Sequence, residues 1–394
     1  MTAAPIDYPL AADTWGEAER AAAIAVIRSG RTTMGEKVAE FEARFADAFG
    51  ARHAVMVNSG SSANLLAVAA LFFAQAPLVR PGSVAVVPAV SWGTTYYPLT
   101  QYGLRLRFVD IDRETLNFDL AGLARALDDE VSVVFAVNLL GNPNDYHAIH
   151  GLIGGRDITL IEDNCESMGA RFAGKCAGTF GRVGTFSTFF SHHISTMEGG
   201  VCVTDDEELH HILLCLRSHG WTRQLPWPNR LIDKGSRGDF REAFRFVLPG
   251  YNVRPPEICG AIGIEQLKRL PGFIARRRDT ARRFAERMAP IRGLRLQREI
   301  GDSSWFGFAL ILTEEADADR DAVVARLAAA GVQSRPIVAG DFTRQPVMAH
   351  LAHDPPGPLP NAREADRRGF YIGNNPLAER ELDALIAAIE AAVA

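Results

Sequence analysis

Lysine is scarce in this chain: only Lys37, Lys175, Lys234 and Lys268 occur among 394 residues. Chemistry that needs a side-chain primary amine therefore has few candidates. A basic excess is also missing. The formal net charge is -5, so no positive field recruits nucleic acid. No run of about 18 apolar residues occurs, and no transmembrane helix or membrane partner is expected. The first twenty residues lack a basic start followed by an apolar stretch, so no export signal is expected and a cytoplasmic location is. The five cysteines (Cys165, Cys176, Cys202, Cys215, Cys259) never form a C-x-x-C pair. They read as reduced thiols, neither disulfides nor a zinc site. Internal repeats and low-complexity tracts are absent too.

What is present is a 47% apolar composition, ample for a large core shared by a larger and a smaller domain. Short apolar runs alternate with helical patterns over the first two-thirds of the chain. Strands are expected at His53–Asn58, Val84–Pro88, Leu106–Val109, Val131–Val137 and Ile158–Ile161. Helices are expected between them, at Ser61–Phe73 and Leu120–Leu127 among others. Such alternation implies an α/β fold, a mostly parallel mixed sheet covered by helices on both faces. Helical signals then dominate at Pro255–Leu270 and Arg276–Met288. Strands follow at Phe306–Leu312 and Val332–Ile337, with helices at Arg320–Gly331 and Glu379–Val393. The pattern divides the chain into a larger domain, 1–275, and a smaller C-terminal α/β domain, 276–394.

Three segments carry chemistry. Asn58-Ser59-Gly60-Ser61-Ser62-Ala63-Asn64 follows an expected strand and opens a helix. Gly60 permits a tight turn, and hydroxyls and free helical amides can converge there on an anion such as phosphate. An ordinary N-cap uses the same residues, and this segment alone does not separate the two readings. Leu160-Ile161-Glu162-Asp163 ends an apolar run in acids. Asp163 could face a ligand cation such as a protonated pyridine nitrogen, although solvated acids at a strand end look the same. The third segment, Ser187 to Gly200, holds adjacent histidines, His192 and His193, before Glu198-Gly199-Gly200. Further metal ligands are not apparent nearby, so no metal is expected.

The order of these segments resembles the fold-type I pyridoxal-phosphate-dependent transferases, and among them the DegT-like sugar aminotransferases. The resemblance runs from about residue 15 to 390. It implies that Gly60, Ser61 and Ser187 hold the phosphate of pyridoxal 5'-phosphate or pyridoxamine 5'-phosphate. Asp163 would hold the ring nitrogen, and Trp92 in Val90-Ser91-Trp92-Gly93 would stack on the ring. Asn252 in Gly250-Tyr251-Asn252-Val253-Arg254 would reach the phosphate of a partner subunit, making a homodimer with shared sites. The family's cofactor-binding lysine stands five residues after the serine, and that position here is His192. No lysine lies in the segment to replace it. The resemblance then implies non-covalent cofactor binding, with His192 moving protons. An ordinary imidazole, titrating near about 6.5, suits that task.

The same lysine-to-histidine exchange marks the family's 3-dehydratases of nucleotide-linked 4-keto-6-deoxy sugars. One group of these carries an iron–sulfur cluster on cysteines near its C-terminus. No cysteine follows Cys259 here, which argues against that group. The resemblance then implies a GDP-linked 4-keto-6-deoxymannose substrate, with L-glutamate restoring the aminated cofactor. His219, in Arg217-Ser218-His219-Gly220-Trp221, and Arg344, in Gly340-Asp341-Phe342-Thr343-Arg344, resemble substrate-side segments, and Arg254 is grouped with them. Three alternatives remain at this point. They are a dehydratase of another nucleotide sugar, an aminotransferase (which would need a lysine here), and a sensor that binds without turnover.

Overall fold

Val38, Phe41, Phe45 and Phe49 recur at helical spacing, and all four are buried. The computed structural model describes residues 6–232, 240, 244–375 and 381–393. In it this segment forms helix α2 (Glu36–Phe49), preceded by α1 (Glu17–Ser29). A strand, β1 (His53–Val57), then enters the main sheet, followed by helix α3 (Gly60–Phe73). The chain continues through β2 (Val84–Pro88), α4 (Gly93–Gln101), β3 (Arg105–Val109), α5 (Leu120–Ala126), β4 (Val131–Val137), α6 (Tyr146–Ile153) and β5 (Thr159–Asp163). A small two-stranded unit, β6 (Arg171–Phe172) and β7 (Lys175–Cys176), precedes β8 (Val183–Ser187), β9 (Gly200–Thr204) and α7 (Glu207–Arg217).

The sheet order is β1-β9-β8-β5-β4-β2-β3. Strands β8, β5, β4, β2 and β3 pair in parallel, and β9 alone runs against its neighbours. This is the mostly parallel sheet that the alternation implied, made mixed by β9. Parallel strands need cover on both faces, and β2, β4 and β5 are buried at every position. Aspartates start the covering helices: Asp119, Asp145 and Asp206 each accept first-turn amides of α5, α6 and α7. The expected strand at Ile158–Ile161 runs on to Asp163, which places that carboxylate within the ladder.

Successive residues on a strand face opposite sides, and Glu162 shows it. Its carboxylate accepts the amides of Gly178 (2.6 Å), Phe180 (2.5 Å) and Gly181 (2.6 Å), while its neighbour Asp163 serves another environment. Burial pushes the Glu162 carboxyl above its ordinary range, against those three donors.

The two helical signals at 255–270 and 276–288 prove to be one helix, α8 (Glu257–Met288), with Pro271 inside it. An interior proline costs about 3 kcal/mol or more. Burial on both sides of it outweighs that loss. Leu267, Leu270, Phe273 and Ile274 pack in the same cluster as Phe41 and Phe45 of α2. Ala281, Phe284 and Met288 pack in a second cluster. That cluster lies on an antiparallel sheet of order β10 (Leu294–Leu296), β11 (Gly307–Leu312), β13 (Gly369–Gly373) and β12 (Ser334–Arg335). Helices α9 (Arg320–Ala329), α10 (Pro360–Arg368) and α11 (Leu382–Val393) complete it. The strand expected at Val332–Ile337 shortens to β12, because Val332 pairs instead with Tyr8 of the N-terminal segment. The expected start of the last helix, Glu379, lies outside the described residues. All five cysteines are free thiols. Among the described residues no helix is long and apolar enough to cross a membrane.

Replacing Glu162 by Gln turns one acceptor oxygen into a donor facing backbone amides. The expected loss is about 2 kcal/mol of stability, read as a lower urea midpoint. An unchanged midpoint would show that the clasp contributes nothing.

Candidate active site

The carboxyl ends of the parallel strands and the turn after β1 converge on one cavity of about 320 Å³. Asp163 ends β5, Ser187 ends β8, and Gly60 opens α3. Gly60 must be glycine here. A Cβ would stand 2.7 Å from Ser187 Cβ and 2.9 Å from Cys165 Sγ. Ser59 caps α3 by accepting the Ser62 amide at 3.1 Å, so the N-cap reading holds for Ser59. Gly60 and Ser61 remain on the cavity wall. Ser61 shares a hydroxyl hydrogen bond of 2.8 Å with Thr94. Ser187 Oγ accepts the Phe189 amide at 3.3 Å.

At another part of the wall, Asp163 is held from three sides. Its Oδ2 accepts Asn64 Nδ2 at 2.9 Å and Thr95 Oγ1 at 2.8 Å, and its Oδ1 accepts the Cys165 amide at 3.0 Å. Thr185 Oγ1 donates to Asn64 Oδ1 at 2.6 Å, which turns the Asn64 amino group toward the carboxylate. Trp92, 62% exposed, stands at the start of α4 and lines the cavity.

His192 also lines the cavity. Its ring lies 5.3 Å from Phe306 and 5.9 Å from Phe189, and its Nδ1 is buried without a hydrogen-bond partner. Burial, aided by the charge of Arg277, lowers its pKa to about 4. This corrects the expectation of an ordinary imidazole. His193 turns elsewhere, with Nε2 on the Ser304 carbonyl at 3.2 Å. Among the described lysines none lines the cavity: Lys37 pairs with Glu40, Lys268 with Glu265, and Lys175 bonds the Thr179 carbonyl. Lys234 lies outside the described residues.

Four expected residues stand apart from this chain's cavity. Asn252 is exposed, and its Oδ1 accepts Arg254 Nε at 2.9 Å. His219 is exposed with a left-handed φ of 62°. Arg344 lies 3.7 Å from Asp366. Conversely, sequence reasoning missed Asn64, Thr95, Glu166, Glu198 and Tyr371. Asn64 had a visible signal, since it closes the Asn58–Asn64 segment. Glu166 sits three residues after Asp163, and burial with the nearby Asp163 charge raises its pKa to about 7.

A carboxylate in one part of a cavity, and hydroxyls with a helix N-terminus in another, fit a pyridinium ring that carries a phosphate. The unpartnered imidazole between flanking aromatics fits a proton carrier. Fold and site together thus define a pyridoxal-phosphate-type transferase architecture. Residues 13–390 match the DegT/DnrJ/EryC1/StrS aminotransferase family, and the chain belongs to that family.

Over 373 residues the chain is 52% identical to the GDP-4-keto-6-deoxy-D-mannose 3-dehydratase of Escherichia coli O55:H7, covering 94% of this chain and 96% of that one. The enzyme of the same description from Yersinia pseudotuberculosis is 53% identical, covering 94% and 95%. A crystal structure of GDP-4-keto-6-deoxymannose-3-dehydratase with a trapped PLP-glutamate geminal diamine superposes with a TM-score of 0.95 at 51% identity. It covers 97% of this chain and 100% of that one.

Replacing Gly60 by Ala should push Ser187 out of place. The expected result is roughly tenfold weaker binding of pyridoxal phosphate, followed by its absorbance. Unaltered affinity would show that the close approach of α3 and β8 does not shape the site.

Proposed function

We infer that the chain is a pyridoxamine-phosphate-dependent 3-dehydratase of GDP-4-keto-6-deoxy-D-mannose, giving GDP-4-keto-3,6-dideoxy-D-mannose. One observation carries this reading: an imidazole, His192, occupies the cavity beside Asp163 and Ser187, with no described lysine there. The relatives of that activity, about half identical over nearly the whole chain, support it. An aminotransferase reading lacks its amine among the described residues. A sensor reading leaves unexplained why a proton carrier stands in the cavity.

When bound, the cofactor supplies the amine that engages the 4-keto group and a ring that withdraws electrons. Asp163, fixed by Asn64 and Thr95, keeps a proton on the ring nitrogen. Ser61, Ser187 and the start of α3 hold the phosphate, and Trp92 covers the ring. His192 takes a proton from the cofactor's methylene carbon and passes one to the departing carbon-3 hydroxyl. A base held near pKa 4 is weak, but its protonated form is a strong acid, which favours the departure of hydroxide as water. L-Glutamate returns the amine, as a trapped PLP-glutamate adduct in a related enzyme supports.

Asn252, exposed and braced by Arg254, serves the cavity of a second copy, so the working unit is a homodimer. His219, Arg254 and Arg344 lie on the nucleotide-sugar side. The boundary between the larger domain, 1–275, and the smaller, 276–394, falls within α8. The enzyme works in the cytoplasm.

Incubation with pyridoxamine phosphate and the GDP-keto-sugar should release ammonia and yield a sugar lighter by one oxygen atom. An amino-sugar product, or no product, would overturn the reading. Replacing His192 by Asn should slow turnover by about 100-fold or more. The pH profile gives an independent check. The base acts when neutral, and burial lowers its pKa. Activity is therefore retained as pH falls through the ordinary imidazole value of about 6.5 and is lost only near pH 4. An acid limb at 6.5 would contradict this.

A further inference from the structure

Arg277 lies in the second half of α8, 5% exposed. Its guanidinium donates to the carbonyls of Phe306 (3.1 Å), Trp305 (3.5 Å) and Asn374. Its Nε has no partner, and among the described residues no carboxylate forms an ion pair with it. Arg217, also buried, differs: it pairs with Glu42. Carbonyls solvate a buried cation without neutralising it. Burial lowers the pKa of Arg277 only to about 10, so it stays charged at neutral pH.

The carbonyls it holds belong to the wall behind His192. The Phe306 ring packs against both His192 (5.3 Å) and His193 (5.7 Å). The Ser304 carbonyl takes His193 Nε2. Trp305, between them, has a left-handed φ of 47°, a conformation that needs external support. Asn374 Nδ2 donates to the Trp305 carbonyl at 3.0 Å and to the Arg277 carbonyl at 2.9 Å, closing the knot. Other ionisable groups reach the same cavity from different elements: Asp163 at the end of β5 and Glu166 after it, Glu198 before β9, and Tyr371 on β13. Burial raises the pKa of Glu166 and of Tyr371, so both hold their protons more tightly. For His192 and for His193, Arg277 is the foremost charge acting, in the same direction as burial.

We propose that Arg277 is a positioning residue for His192: it pins the 304–306 wall against the imidazole and sets an unneutralised cation behind that wall. This rests on His192 being the group that moves the proton. Arg277 touches neither the cavity nor a ligand position, so its influence passes through residues 304–306 and through space.

The test uses the holoenzyme labelled with ¹⁵N-histidine. The His192 signal is identified by its loss in His192→Asn and followed by NMR against pH. In the wild type the ring stays neutral down to about pH 5. In Arg277→Gln its midpoint rises by about one pH unit, and the acid limb of kcat rises with it. Arg277→Lys keeps the charge and leaves the midpoint where it was. An unmoved midpoint in Arg277→Gln overturns the proposal. So does a wild-type His192 that titrates at the ordinary value of about 6.5, and this outcome decides the matter even if the Gln variant does not fold. If the wild type releases no ammonia, the functional reading fails instead, and the titration still decides what Arg277 does.

Discussion

Everything at the site refers back to the carboxylate of Asp163 and to the way it is fixed. A carboxylate at the end of a buried parallel strand is free to rotate unless something holds it. Here Asn64 from α3, Thr95 from α4 and the Cys165 amide after β5 hold it together. Thr185, on the neighbouring strand β8, settles the orientation of Asn64. One carboxylate thus locks two helices and two strands into register, and the same helices carry Ser61 and Trp92. Building the anchor and aligning the rest of the cavity are a single packing problem.

Backbone strain gathers around the same cavity. Leu140, Met197, Trp305 and Val338 all adopt a left-handed φ without being glycine. Val338 lines the cavity, and the other three adjoin the lining residues Leu139, Glu198 and Phe306. Each costs of order 1–3 kcal/mol. The supports are visible for two of them. The Leu140 amide bonds Glu166 at 3.0 Å, and the Trp305 carbonyl is held by Asn374. A buried wall that keeps such geometry can present side chains at fixed angles, which a relaxed loop would not.

Much of this was legible in the sequence. The apolar runs that became β1, β2, β4 and β5 are long and continuous because both faces of each strand are buried. Asp163, Ser187 and His192, singled out by their order along the chain, all line the cavity. Strands β8 and β9 gave no signal: each is five residues long and contains glycine, which is poor at marking a strand. Yet those glycines are required. A Cβ at Gly200 would meet the Ser59 carbonyl oxygen at 2.2 Å. Thr95 escaped notice because a residue that holds another side chain has no pattern of its own, and Asn64, though it closes the Asn58–Asn64 segment, gave no sign that it holds Asp163. The lowered basicity of His192 was invisible too. It comes from burial and from an arginine 85 positions away, and neither has a local trace.

The unbroken course of α8 has a mechanical consequence. One rod of 32 residues is embedded at its first half in the core beneath the main sheet and at its second half in the core of the smaller sheet. Torque on either end is transmitted to the other, because a helix resists twisting far more than a loop does. The two cores therefore share one element, and a displacement of α8 is felt in both. Exposed Trp92 stands on the wall of the cavity, on the main-sheet side of that shared helix.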